Sequence, residues 1–170
     1  MQIDWVLNES VTRDVDVLMR WLDNEMDVLT WGGPAFRYPF NRHSFTEDLY
    51  WGRLGSYSLR DQRGEMAAFG QLYERLGRVN LARLITDPLR RGSGIGKQLI
   101  AHLMQVGRNR FHCDEFSLFV YRDNRPALRC YEALGFEIKP YPRDVEFADI
   151  CYYLTRPVDC DCYKGSNDAP

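Results

Sequence analysis

One segment constrains this chain more than any other: Leu84-Ile85-Thr86-Asp87-Pro88-Leu89-Arg90-Arg91-Gly92-Ser93-Gly94-Ile95-Gly96-Lys97. It sets a strand end, a proline stop, a turn with glycine at 92, 94 and 96, and the start of an amphipathic helix in direct succession. Glycine lets main-chain N–H groups face outward with no Cβ in the way. The first turn of a helix adds amides without intrahelical acceptors and a partial positive charge. Together these form a cradle for a pyrophosphate. Two better-known phosphate loops do not fit. A P-loop, G-x-x-x-x-G-K-[ST], would begin at Arg91 and end at Gln98, failing at both ends. A dinucleotide G-x-G-x-x-G read from Gly92 ends at Lys97, and read from Gly94 ends at Leu99.

What fits is R-x-x-G-x-G over Arg91 to Gly96, which resembles the coenzyme A signature of the GNAT acetyltransferase superfamily. Downstream, Tyr121 to Phe136 resembles the other recognised segment of that family, in its Asn124 after a strand, its Ala127, its Tyr131 and its closing Gly135-Phe136. Leu84-Ile85-Thr86 is similar to the strand end that members pair with the pantetheine arm. The resemblance covers roughly Arg83 to Phe136; the N-terminal half matches only in the order of its elements. It implies an α/β GNAT fold, a mixed sheet of about seven strands flanked by about four helices. Two parallel strands, here ending at Thr86 and Tyr121, would splay into a wedge for coenzyme A.

The resemblance further implies main-chain donors from Gly92, Ser93, Gly94, Ile95, Gly96 and Lys97 on the pyrophosphate, beside Arg91. It implies Leu84, Ile85 and Thr86 along the pantetheine, Asn124 on the same arm, and Tyr131 as general acid. The partners it implies are acetyl-CoA as cosubstrate and a primary amine as acceptor, with no metal. A non-catalytic acyl-CoA-binding module is the competing reading. Asn124 and Tyr131 stand seven residues apart, about 10 Å along a helix and on nearly one face, so one can touch the middle of the arm while the other reaches its sulfur. A phenol with a pKa near 10 is protonated at neutral pH and can serve a leaving thiolate whose thiol pKa is near 8.5.

The acceptor side is less determined. A lysine-like amine is largely protonated at pH 7, so a proton must leave, and Glu65, Glu74 and His43 are candidate bases. Arg83 either pairs with an acidic group of the chain or meets an anionic part of the substrate. Trp31, Phe36, Tyr38 and Phe40 either line the acceptor pocket or form a satellite core. Cys130 reads as apolar filler, and His102 falls on the polar face of its helix.

Composition narrows the function classes. A net charge of −2 over 170 residues shows no excess of Lys and Arg for nucleic acid. No stretch reaches the roughly 18–20 apolar residues of a membrane helix, and Met1 to Trp5 lacks the basic and apolar regions of a signal peptide. Five cysteines, with Cys160 and Cys162 the only close pair, suit reduced thiols in the cytoplasm better than a disulfide framework or a metal site. Oligomeric state is open, a homodimer included. Residues 1–158 read as one domain and 159–170 as a weakly ordered tail.

Spacing predicts a strand at Asp4–Leu7, a helix over Ser10–Asp23, an irregular stretch from Asn24 to Arg42, and a short helix beginning at the S-x-x-E box of Ser44. The expected order is strand, two helices, three strands, helix, strand, helix, two strands.

Overall fold

The computed structural model describes residues 4–158. In chain order the elements are β1 (Val6–Glu9), α1 (Thr12–Trp21), α2 (Glu25–Gly32), α3 (Arg42–Asp48), β2 (Gly55–Arg60), β3 (Met66–Arg75) and β4 (Arg78–Thr86). A single 3-10 turn at Pro88–Arg90 follows, then α4 (Ile95–Arg110), β5 (Glu115–Tyr121), α5 (Arg125–Ala133), β6 (Glu137–Lys139) and β7 (Cys151–Pro157). The strands form one sheet in the order β1-β2-β3-β4-β5-β7-β6. Every neighbouring pair is antiparallel except β4 and β5, which are parallel because α4 carries the chain back across the sheet.

Alternation along the strands separates two cores. Leu72, Leu81, Leu118 and Leu154 pack with Leu99 and Leu103 of α4 on the back face. Phe69 and Ile85 pack with Val15 and Leu18 of α1, Val28 of α2 and Phe45 of α3 on the front face. The back layer sits close: a Cβ on Gly70 would lie 2.7 Å from Leu103 and 2.8 Å from Leu84. The front layer is pinned by a buried carboxylate. Asp14 accepts from Arg60 (2.6 Å), from the Ser58 hydroxyl (2.9 Å) and from the Val11 amide at the start of α1 (2.9 Å).

The N-terminal third differs from the sequence expectation. A third helix, α2, occupies part of the stretch expected to be irregular; the Asn24 side chain caps it by accepting from the Asp27 amide (2.9 Å). The next helix starts at Asn41 rather than Ser44. Asn41 accepts from the Ser44 amide (2.9 Å), and the Ser44 hydroxyl accepts from the Asn41 amide (3.0 Å), so Ser44 is the third residue of the capping box. Glu47, expected to close that box, instead pairs with Arg37 (2.8 Å). β1 lies two residues later than expected, at Val6–Glu9.

Candidate active site

The cleft begins where β4 and β5 part. They pair only at Val79 with Phe116 and Asn80 with Ser117, while β4 keeps its pairing to β3 as far as Thr86. The cause is a bulge. Between the pairs Phe69–Ile85 and Gln71–Ala82, β3 has one residue, Gly70, and β4 has two, Arg83 and Leu84. Arg83 takes a left-handed φ of 49° to admit the extra residue. Such a bulge bends its strand and sharpens the twist, which turns the end of β4 away from β5. The resulting cleft has a volume of about 1020 Å³ and is lined by β4, β5, the glycine turn, α5, α2 and the loop before β7.

At one end lies the glycine turn. Gly92 and Gly94 have φ of 77° and 81°, conformations that disfavour any side chain. Among the described residues, none of the amides from Arg91 to Lys97 has a hydrogen-bond acceptor. Gly96 differs: its φ is ordinary, and a Cβ there would meet only Thr86 Cγ2 at 3.8 Å. The chain's own packing does not demand glycine at 96, so a small residue there keeps the cleft open. Arg91 and Lys97 line the cleft without an ion-pair partner among the described residues, while Arg90 is paired to Asp61 (2.9 Å). Free amides, a helix terminus and two cations unpaired among the described residues thus lie together at this end of the cleft, the combination that favours an anion.

Leu84, Ile85 and Thr86 lie along one wall, with Asn124 and Tyr131 facing them from α5. Ser93 does not line the cleft; its hydroxyl turns back to the Arg90 carbonyl (2.5 Å). Asn124 caps α5, its side-chain oxygen accepting from the Ala127 amide (3.3 Å), which leaves its NH₂ group without an acceptor among the described residues. The Tyr131 hydroxyl likewise has no hydrogen-bond partner among them, and its ring meets Phe136 edge-on (6.4 Å). Burial pushes this phenol well above its ordinary value, so it holds its proton. Cys130 also lines the cleft, its thiol pushed up by burial and therefore protonated, and no histidine is among the described residues that line it.

Beyond Tyr131 the cleft opens onto the front face of the sheet. Glu65, Glu74 and His43 do not line it; His43 is exposed and pairs with Glu47 (3.3 Å). The acids that do line it are Asp27 of α2 and Glu146 of the loop before β7. Neither carried a sequence cue, because one sits in a stretch read as irregular and the other in an unpatterned loop. The aromatic segment divides between the two roles considered for it. Trp31 lines the cleft, stacks on Phe45 (5.9 Å) and donates to the Arg83 carbonyl (2.8 Å). Phe36 is core, and Tyr38 and Phe40 stand outside the cleft. Among the described residues Arg83 makes no ion pair; it donates to the Gln71 side-chain oxygen (2.6 Å) and the Asp48 carbonyl (3.1 Å).

Among the described residues no three His, Cys, Asp or Glu side chains gather as a metal site; Cys160 and Cys162 lie outside the described residues. No helix of these residues is long and apolar enough to cross a membrane.

The spermidine N-acetyltransferase of Vibrio cholerae, solved with CoA and spermine, superposes with a TM-score of 0.70 at 17% identity, over 90% of this chain and 95% of that one. The ribosomal-protein-S18-alanine N-acetyltransferase of Escherichia coli gives 0.65 at 20% identity, over 98% and 99%. These likenesses establish a shared fold. In sequence, an N-acetyltransferase 9-like protein of Nematostella vectensis is 27% identical over 86 residues, 51% of this chain and 43% of that protein. The spermine/spermidine N(1)-acetyltransferase of Bacillus subtilis is 33% identical over 61 residues, 36% of this chain and 40% of that protein. The matched stretches therefore span less than half the length of these relatives. The model of the acetyltransferase (GNAT) family matches residues 25–136, well over half of the 170, and by that match, on this fold, the chain belongs to the acetyltransferase (GNAT) family.

Proposed function

We propose that this chain is an N-acetyltransferase that moves the acetyl group of acetyl-CoA onto a primary amine, residues 1–158 acting as one catalytic domain. The observation that carries the reading is the coincidence of two features. The sheet opens between β4 and β5 at the same end where the amides of Arg91 to Lys97 stand without acceptors. An extended ligand with a pyrophosphate at one end and an arm running into the sheet matches both.

Acetyl-CoA supplies a thioester, already activated, whose thiolate departs when the amine nitrogen bonds to the acyl carbon. The chain's residues do the rest. Gly92 to Lys97 hold the diphosphate through main-chain N–H groups, helped by the charges of Arg91 and Lys97. The open edge of β4 at Leu84 to Thr86 and the free NH₂ of Asn124 orient the arm. Tyr131 donates its phenolic proton to the leaving sulfur; its raised pKa keeps that proton in place until the thiolate appears. Asp27 and Glu146 are the carboxylates in reach of the front opening that can take the proton of the amine, directly or through water.

A panel of primary amines incubated with acetyl-CoA, with free thiol as the readout, tests this. Tyr131→Phe should slow release while leaving coenzyme A binding unchanged. Binding without release from any amine would favour the non-catalytic acyl-CoA-binding module.

A further inference from the structure

Arg83 is a largely desolvated cation that forms no ion pair among the described residues. Its Nε is buried without a hydrogen-bond partner, and its two donated bonds go to uncharged acceptors, the Gln71 side chain and the Asp48 carbonyl. Asp48 acts on it without pairing with it, because its carboxylate takes the guanidinium of Arg37 (2.8 Å) and the Arg37 amide (2.9 Å). Aromatic rings surround what remains, Phe36 at 5.9 Å and Tyr50 at 5.8 Å. Burial draws the guanidinium below its ordinary value, and the opposing pull of Tyr73, Tyr50 and Asp48 does not restore it.

Taking a charge out of water without a counter-charge is costly, and proteins rarely leave such a group unanswered unless something else answers it. Arg83 lines the cleft on its front half, with Trp31 bonded to its carbonyl and Tyr73 beside it. A second cation also lines the cleft. Arg75 lies over the Phe119 ring (4.7 Å) and likewise has no acidic partner among the described residues. The acids of the cleft, Asp27 and Glu146, form no ion pair with either arginine.

We infer that the acceptor carries a carboxylate beside its amine, and that Arg83 is the specificity-determining residue that receives it. The inference rests on the acetyltransferase reading and deepens it. A planar guanidinium suits a carboxylate, and each charge-assisted hydrogen bond adds to selectivity. A diamine or polyamine would instead bring positive charge against Arg83 and Arg75. The arginine thus selects for one class of acceptor and against another.

Matched pairs test this: lysine against cadaverine, and phenylalanine against phenethylamine, each with acetyl-CoA and thiol readout. Binding of the same pairs to the coenzyme A-loaded protein is followed by calorimetry. The carboxylate member should win in kcat/KM by about ten-fold or more, the worth of one charge-assisted bond. Arg83→Gln should erase that ratio by slowing the carboxylate member alone, while Arg83→Lys, which keeps the charge, retains part of it. A purely structural role would lower both members together. Carboxylate-selective binding without thiol release keeps the Arg83 assignment and overturns acetyl transfer. Release that ignores the carboxylate, or favours cadaverine, overturns the assignment and keeps acetyl transfer. Neither binding nor release overturns both.

Discussion

At the glycine turn the cleft is lined by main chain; on the front face, where Asp27, Trp31, Arg83 and Glu146 line it, it is lined by side chains from separated parts of the sequence. The first half draws its chemistry from peptide N–H groups, which every residue owns, and needs only that side chains stay out of the way. The second half draws its chemistry from particular functional groups that tertiary folding must gather. A main-chain site is therefore written locally and tolerates change in everything but its small residues. A side-chain site is distributed, and each member can be exchanged singly, which lets one scaffold serve different acceptors.

The comparison can be broken most directly at Gly96. A Cβ fits there, so Gly96→Ala should leave the unfolding temperature nearly unchanged. Gly96→Glu sets a negative charge against the diphosphate. Two like charges at about 4 Å oppose each other by roughly 4 kcal/mol near a protein surface. Coenzyme A affinity measured by calorimetry should then fall roughly a thousand-fold. A loss below ten-fold would mean that the main-chain half does not hold the diphosphate.

Next in size is Tyr131→Phe. Loss of a general acid costs about a hundred-fold or more in rate, so kcat should drop by that order while coenzyme A affinity stays within about two-fold. The third test sharpens the side-chain half. Asp27 is half-buried and tied to Asn24 (2.8 Å), whereas Glu146 is exposed. Asp27→Asn should slow turnover about ten-fold and Glu146→Gln less than about three-fold, with the Asp27→Asn deficit shrinking as pH rises and the amine loses its proton unaided. Equal effects would make the two acids interchangeable.

The smallest expected effect is on stability at alkaline pH. The folded-state pKa of Tyr131 lies above the unfolded value near 10, so the fold favours its protonated form. That contribution is complete below about pH 10 and is lost as pH climbs toward the folded pKa, because the unfolded chain ionises first. Thermal unfolding of the Tyr131→Phe protein should decline less steeply above pH 10 than that of the wild type.

Much of the back half was legible. The amphipathic start after the glycines marked α4, Asn124 after a strand and the closing Gly135-Phe136 bracketed α5, and the glycine spacing marked the turn. Each is a short-range pattern set by helix geometry or by φ. The front half was not. Asn24 and Asn41 are ordinary caps; the first fell inside a stretch read as irregular, and the second lost out to Ser44-x-x-Glu47. Glu65, Glu74 and His43 had suitable chemistry, yet placement turns on where the strands begin and how the helices lie over them. Trp31 could be read as core or as pocket wall because it serves both.

By itself, then, the sequence determined the glycine turn, the helix that follows it and the strands flanking the wedge, since main-chain conformation and short-range periodicity depend on neighbours a few residues apart. Only the tertiary structure decided how far β4 and β5 separate, which acids reach the cleft, and that Arg83 forms no ion pair among the described residues. Those depend on a single bulge opposite Gly70 and on Asp48 having already been taken by Arg37. Both are contacts between residues distant in the chain, and no local pattern encodes them.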